Sequence, residues 1–313
     1  MGRVYPARPR FSTRRTRGLR GVRTPPRATR DRVRAVVTGV AVPYGARRGT
    51  GVRTGTRGGN MTAPEEGPPG APRPRGRIFQ TSTMTAMLEG VYEGTTTIAE
   101  LRRHGDFGIG TFDRLDGEMI VLDGRCYRLR ADGSAGEADL STRTPLAAVT
   151  YFHGEHDWRI REPLDAAGLR ARIDGWLPSP NHFYAVRVDG HFDHVVTRML
   201  PEQHRPYPRL IDAVAGQVIA THTGLRGTVV GFRSPAHMLG VAAAGYHLHF
   251  LSGCRTRGGH AYDFALRSGR VRVDVGYELV LHLPRTADFG RARLGRGDVA
   301  GEIEAVLQGG PVP

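Results

Sequence analysis

Sustained alternation of apolar and polar positions begins at Ile78; the residues before it are rich in Arg, Gly, Pro and Thr and have no sustained apolar period. Residues 82–88 (STMTAML), ending before Gly90, predict a short helix with a glycine stop. Thr97 and Glu100 have the spacing of a capping box, in which hydroxyl and carboxylate each satisfy a backbone N–H of the first turn. The helix they open is expected to run through Leu101 and Arg103 and stop at Gly105. The period then shortens to two. Residues 117–122 (GEMIVL) and 125–129 flank Asp123 and Gly124, which predicts a hairpin. Residues 146–152, 183–188 and 194–197 read as strands, and 164–176 as a helix carrying Leu164, Leu169, Ile173 and Trp176. Further strands are expected at 227–232, 245–250, 261–266, 271–275 and 278–283, and a last helix at 298–306.

Helices and strands mix early and strands dominate late. The expected class is therefore α+β: a mixed first half with a β-sheet, packed on an antiparallel, β-rich, barrel-like second half. Three regions follow: a disordered tail over 1–76, an α+β domain over 77–218, and an antiparallel β domain over 219–313 that ends in a helix. Met61 opens the stretch that leads into the core pattern and is the expected initiator.

A formal charge of +15 on 313 residues suggests a nucleic-acid or membrane-surface binder until the charge is located. Residues 1–60 hold 16 Arg and one acid, Asp31, and the remainder holds 29 Arg and 29 acids. The folded part is thus neutral, and binding of nucleic acid is not expected of it. No apolar run approaches the length of a membrane span. Two cysteines, Cys126 and Cys254, make no disulfide framework and fit a reducing cytoplasm.

The candidate chemistry lies in the segment from Tyr246 to His260. Tyr246, Leu248 and Phe250 fall on one face of a strand, and His247 and His249 on the other. With 13 His in the chain, an HxH pair arises readily by chance, and two polar residues on an outward face explain it as well. The residues that follow, 252–259, read as a turn, and His260 opens the next strand. A hairpin would set a third imidazole beside the pair and leave a coordination position open, the pattern of a catalytic zinc site. Cys254 sits in the turn and is read as a bystander. The pairs His153/His156 and His191/His194 are read as solvated loop surface.

Ordered blocks along the chain sharpen this. STMTAML (82–88), GDFGIGT (105–111), LDGEMI (115–120), NHFYA (181–185), GTVVGFRSP (227–235), GYHLHF (245–250) and GGH (258–260), with Thr197, Arg198, Pro201 and Gln203 between them, resemble the bacterial alpha-acetolactate decarboxylase family from about Phe79 to Leu294. The resemblance implies zinc on His247, His249 and His260, 2-acetolactate as the small-molecule substrate, acetoin and carbon dioxide as products, and a homodimer. It implies that Arg198 holds the substrate carboxylate or the developing anion, that Glu118 is the proton donor and that Thr111 lines the pocket. The chain departs from the family in one place. The family has a second active-site glutamate near its C-terminus, where this chain has Val306 or Leu307; Glu304 or Gln308 is the expected substitute.

Three other readings stand beside this one. The departure favours a metal-binding relative without full acid–base chemistry. A cupin-like metal oxygenase would want a carboxylate after the pair, and none lies between His249 and His260. An RNA-binding protein would act through residues 1–60.

Overall fold

The computed structural model describes residues 73–308. Most of the expected tail, Met61 and the side chain of Gln308 lie outside the described residues. Among those described, the strands are β1 (Arg77–Thr81), β2 (Thr96–Thr97), β3 (Phe107–Thr111), β4 (Glu118–Leu122), β5 (Arg125–Leu129), β6 (Ala135–Glu137), β7 (Arg143–Thr144), β8 (Ala147–Thr150), β9 (His156–Ile160), β10 (Leu164–Asp165), β11 (Phe183–Met199), β12 (Val218–Ser234), β13 (Gly245–Ser252), β14 (Gly258–Gly276) and β15 (Glu278–His282). The α-helices are α1 (Met84–Leu88), α2 (Ile98–Leu101), α3 (Ala166–Trp176), α4 (Leu210–Ala213), α5 (Ala287–Arg291) and α6 (Val299–Gln308). The class is α+β.

Local chemistry accounts for the helix starts and the first hairpin. Thr83 Oγ1 accepts from the Ala86 N–H at the head of α1, and Thr97 Oγ1 accepts from the Glu100 N–H at the head of α2, each at 3.2 Å. Asp165 does the same for α3, accepting from the Gly168 N–H at 2.6 Å. Helix α2 stops at Leu101, short of the expected Gly105, with Arg102 as its C-cap. Between β4 and β5, Asp123 and Gly124 take left-handed φ of 52° and 76°, which a two-residue hairpin turn of type I′ demands.

Strands β15-β1-β8-β3-β4-β5-β6 form a seven-stranded sheet, antiparallel except that β15 runs parallel to β1. This corrects the expectation that residues 278–283 belong with the antiparallel strands before them: Glu278 to His282 pair instead with Arg77 to Thr81. The second sheet has six strands, in order β10-β14-β11-β12-β13, with β9 also on β14. Here β13 pairs with β12 over its length and returns to β14 for three residues.

Two pairs of expected strands are single long ones. Residues 183–188 and 194–197 belong to the 17 residues of β11, and 261–266 and 271–275 to the 19 of β14. The glycine and polar residues between them read as loop. They are ladder positions, because Gly190 lies opposite Gly269 and a Cβ on Gly190 would stand 2.6 Å from the Ser268 carbonyl oxygen. His191 and His194 are thus strand residues rather than loop residues, although neither is buried. The division expected at residue 218 falls at the start of β12, which pairs with β11, so residues on both sides of it share one sheet.

A core cluster lies between the sheets. Ile109, Ile120 and Leu122 come to it from one, and Ala185, Val230, Phe232 and Leu251 from the other. Because side chains alternate along a strand, Thr111 shares the face of Ile109, Glu118 that of Ile120 and Leu122, and His247 and His249 that of Leu251. The polar ends of these three strands therefore meet at the edge of an apolar layer.

Candidate metal centre

His247 and His249 stand two apart on β13, and His260 is the register partner of His249 where β13 returns to β14. The turn between the strands places one backbone residue, Arg255, in the left-handed region. Strand β13 can lie this close to β12 because residue 231 is glycine: a Cβ there would fall 2.0 Å from the His247 carbonyl oxygen. The ring centroids are 5.1 Å apart for His247–His249, 5.0 Å for His247–His260 and 5.4 Å for His249–His260. One ring nitrogen from each lies within 4.8 Å of the others.

The state of these rings is set by burial. It pushes the His249 imidazolium down to about 4 and holds His247 and His260 well below the usual histidine range, with Arg198 adding positive charge in each case. All three are neutral at neutral pH, with lone pairs free to bind a cation. His249 Nδ1–H donates to the Met119 carbonyl at 2.9 Å, which fixes the tautomer and leaves Nε2 as the acceptor. That Nε2 is buried with no hydrogen-bond partner. Glu118 Oε2 lies 3.4 Å from it. An orphaned buried acceptor is costly unless something satisfies it, and a metal ion among three neutral imidazoles does so. Three nitrogen ligands with an open side are the donor set of a catalytic zinc.

Glu118 opens β4 opposite Thr111 on β3. Burial raises its carboxyl to about 7, against the opposing pull of Arg198. Arg198 is buried, and its register partner on β14 is His260. Three register irregularities along β11, the last between Val196 and Thr197, precede it; bulges re-aim side chains in this way. Its Nη1 donates to Gln217 Oε1 at 3.4 Å, and burial lowers its pKa. Thr111 Oγ1 donates to the Gly117 carbonyl at 2.9 Å and so pins the turn that carries Glu118.

Glu118, Arg198, Thr111, His247 and His260 all line one cavity of about 110 Å³. One water needs only about 10–15 Å³ of such space, so the cavity suits a small molecule. The rest of its wall is mostly apolar and includes Met84, Met87, Leu115 and Leu146 together with Val306 and Leu307 of α6. Glu304 is not brought into this cavity. It is exposed and lines a separate depression with Tyr246 and Tyr262, because one helical residue step turns it away from the face carrying Ile303 and Val306.

Cys254 is exposed in the turn and stands outside the His cluster. Hydrogen bonds with Ser252 and Thr256 draw its thiol down to about 7. The pairs His153/His156 and His191/His194 also stand apart from the cluster. The Met119 carbonyl and Gln217 escaped the sequence reading. A backbone acceptor leaves no side-chain signal, and Gln217 reaches Arg198 only through the pairing of β11 with β12.

The family model described as Alpha-acetolactate decarboxylase matches residues 78–296. The chain belongs to the alpha-acetolactate decarboxylase family. The family's member from Bacillus subtilis strain 168 is 42% identical over 239 residues, 76% of this chain and 93% of its own. That from Methylococcus capsulatus is 44% identical over 219 residues, 70% of this chain and 84% of its own. Among solved structures, the alpha-acetolactate decarboxylase of B. subtilis strain 168 superposes with a TM-score of 0.73 over 75% of this chain and 99% of its own, at 42% identity. A Staphylococcus aureus protein of unknown function, similar to alpha-acetolactate decarboxylase, superposes with a TM-score of 0.71 at 34% identity, over 74% of this chain and 99% of its own. Helix α6 lies beyond the residues matched by the family model.

Proposed function

We propose that this protein, a carboxy-lyase of the family just named, converts 2-acetolactate to acetoin and carbon dioxide with a zinc ion held by His247, His249 and His260. The observation that carries the metal half is the buried, unpartnered Nε2 of His249 facing two neutral imidazoles. Zinc in this place would supply Lewis acidity for the negative charge that passes to the substrate's carbonyl oxygen as carbon dioxide leaves.

The remaining roles fall to side chains of the cavity. Arg198 offers a planar fork of donors to the substrate carboxylate and orients the bond to be broken. That bond leaves its electron pair on the carbon once bonded to the carboxylate. Glu118, whose carboxyl burial pushes up, delivers its proton to that carbon from one side and is reprotonated by water. Thr111 holds the Gly117 turn and with it the approach of Glu118. The apolar wall receives the two methyl groups and excludes water. Glu304 is given no part, since it lies outside the cavity.

A second reading has a specific observation in its favour. Val306 and Leu307 bring no acid to the cavity wall, which favours a relative that binds zinc but turns over slowly. Both readings are tested on the purified protein and its His260→Ala variant, by zinc content and by acetoin released from racemic 2-acetolactate. The expected result is one zinc per chain and acetoin above the spontaneous rate, both lost in the variant. Unchanged zinc in the variant overturns the ligand assignment; zinc without acetoin selects the second reading.

The proposal extends to a homodimer in the cytoplasm and to a barrel-like closure of the second sheet. The return of β13 to β14 supports the closure. No described helix is long and apolar enough to cross a membrane.

A further inference from the structure

Helix α6 is joined to the rest of the chain by an exposed stretch, residues 293–298, in which Gly295 and Gly297 take left-handed φ of 77° and 71°. The stretch contributes little packing, so the helix is held by what its own faces touch. Asp298 caps it, its Oδ1 accepting from the Gly301 N–H at 3.0 Å. Ile303 and Val306 are buried in a cluster with Met84 and Met87 of α1 and Leu210 of α4. At the helix's polar edge, Arg209 Nη2 joins Glu302 Oε2 at 2.8 Å and Glu89 Oε1 at 2.7 Å, so one guanidinium ties α6 to the end of α1.

Two observations connect this helix to the histidines. Val306 and Leu307 form part of the wall of the cavity that holds Glu118, Arg198, His247 and His260. Leu307 and His260 also both line a second depression, so Leu307 stands beside His260 where the two spaces meet. His249 is held from the other sheet by the Met119 carbonyl, and α6 is the element that flanks His260. Such outer partners orient metal-binding histidines, and their loss costs about 10–100-fold in affinity.

We infer that α6 is a clamp on the metal centre: its docking packs Leu307 beside His260 and closes the cavity, and so governs how fast the ion leaves. Leu307 acts here as a positioning residue. The inference rests on the metal reading above and adds that docking of this helix controls release of the ion. Undocking α6 leaves all three ligands in the chain but frees one of them to rotate and opens the cavity to water.

The experiment measures release of Zn2+ from the loaded full-length protein into excess chromophoric chelator, alongside the melting temperature. Ile303→Asp places a charge in the cluster that docks α6. It is expected to release zinc about tenfold faster or more, whereas Ile303→Val restores the wild-type rate. Ile173→Ala, in the core cluster on α3, is the control for general destabilisation. Its melting temperature should fall while its release rate stays that of wild type. Should Ile303→Asp fail to fold, Arg209→Gln loosens the same helix from its polar edge and is expected to accelerate release in the same direction. A destabilised Ile303→Asp, or a folded Arg209→Gln where that must serve, releasing zinc at the wild-type rate overturns the clamp, as does an equal acceleration by Ile173→Ala. A wild type that takes up no zinc overturns the metal reading and the clamp with it.

Discussion

Gly231→Ala puts the geometry of the metal centre under direct strain. A Cβ at this position would stand 2.0 Å from the His247 carbonyl oxygen, 2.9 Å from Leu248 Cα and 3.0 Å from the His247 carbonyl carbon, all of them backbone. No side chain can swing aside to make room. Strand β13 must retreat by about 1 Å to bring the closest pair to the 3.0 Å below which real Cβ contacts essentially never fall. Overpacking of this kind costs roughly 1–3 kcal/mol, and stiffening of the unfolded chain returns only about 0.4–1 kcal/mol. At about 2–4 °C per kcal/mol for a domain of this size, the melting temperature should fall by several degrees. The functional loss should be larger than the stability loss. The displaced residue carries His247 and is two positions from His249, and a misplacement of about 1 Å can cost on the order of 100-fold in rate. The assay is zinc content, melting temperature and acetoin formation on the same preparation. A variant with wild-type zinc content and turnover would refute the claim that the β12–β13 spacing sets the triad.

Gly175→Ala is the converse case, because a Cβ there meets nothing within 4 Å and the residue lies inside α3; it should gain about 0.5–1 kcal/mol, seen as a higher melting temperature with unchanged zinc content. The metal-free protein should lose stability as pH falls below the ordinary histidine value of 6.5. There the unfolded chain protonates three histidines that the folded one keeps neutral by burial, so the unfolded state binds more protons. Glu118 works the other way between its ordinary 4.5 and its raised value of about 7, where the folded state holds the extra proton, but one group opposes three. The net loss should reach a few kcal/mol near pH 5. Denaturant titrations of chelator-treated protein across that range check this; stability flat or rising toward acid would contradict the burial of neutral imidazoles.

How much of this was legible depended on how far apart the deciding residues lie. The Thr97 cap, the Asp123–Gly124 turn and the single strand face shared by His247 and His249 each rest on residues a few positions apart, and each was readable from the pattern alone. The middle of β11 was not. Gly190 and His191 carry no strand signal of their own; they are held extended by ladders on both sides, from β12 and β14. Likewise nothing in Glu278 to His282 tells that these residues leave the antiparallel sheet to run parallel to β1. Glu304 was a plausible acid by sequence and stands outside the cavity, because a helix turns by about 100° per residue and Val306 and Leu307 reach the cavity wall instead.

The sequence by itself determined the ligand types, their alternation on one strand and the turn that brings the third within reach. These are consequences of chirality and the strand period, which act over a few residues. Only the tertiary structure decided that the three imidazoles are desolvated and neutral, that His249 is held by Met119 and His260 flanked by Leu307, and that Arg198 and Glu118 face the same space. Those facts depend on two sheets and a terminal helix meeting. Desolvation and hydrogen bonding to a distant backbone arise only once the chain has folded around the site.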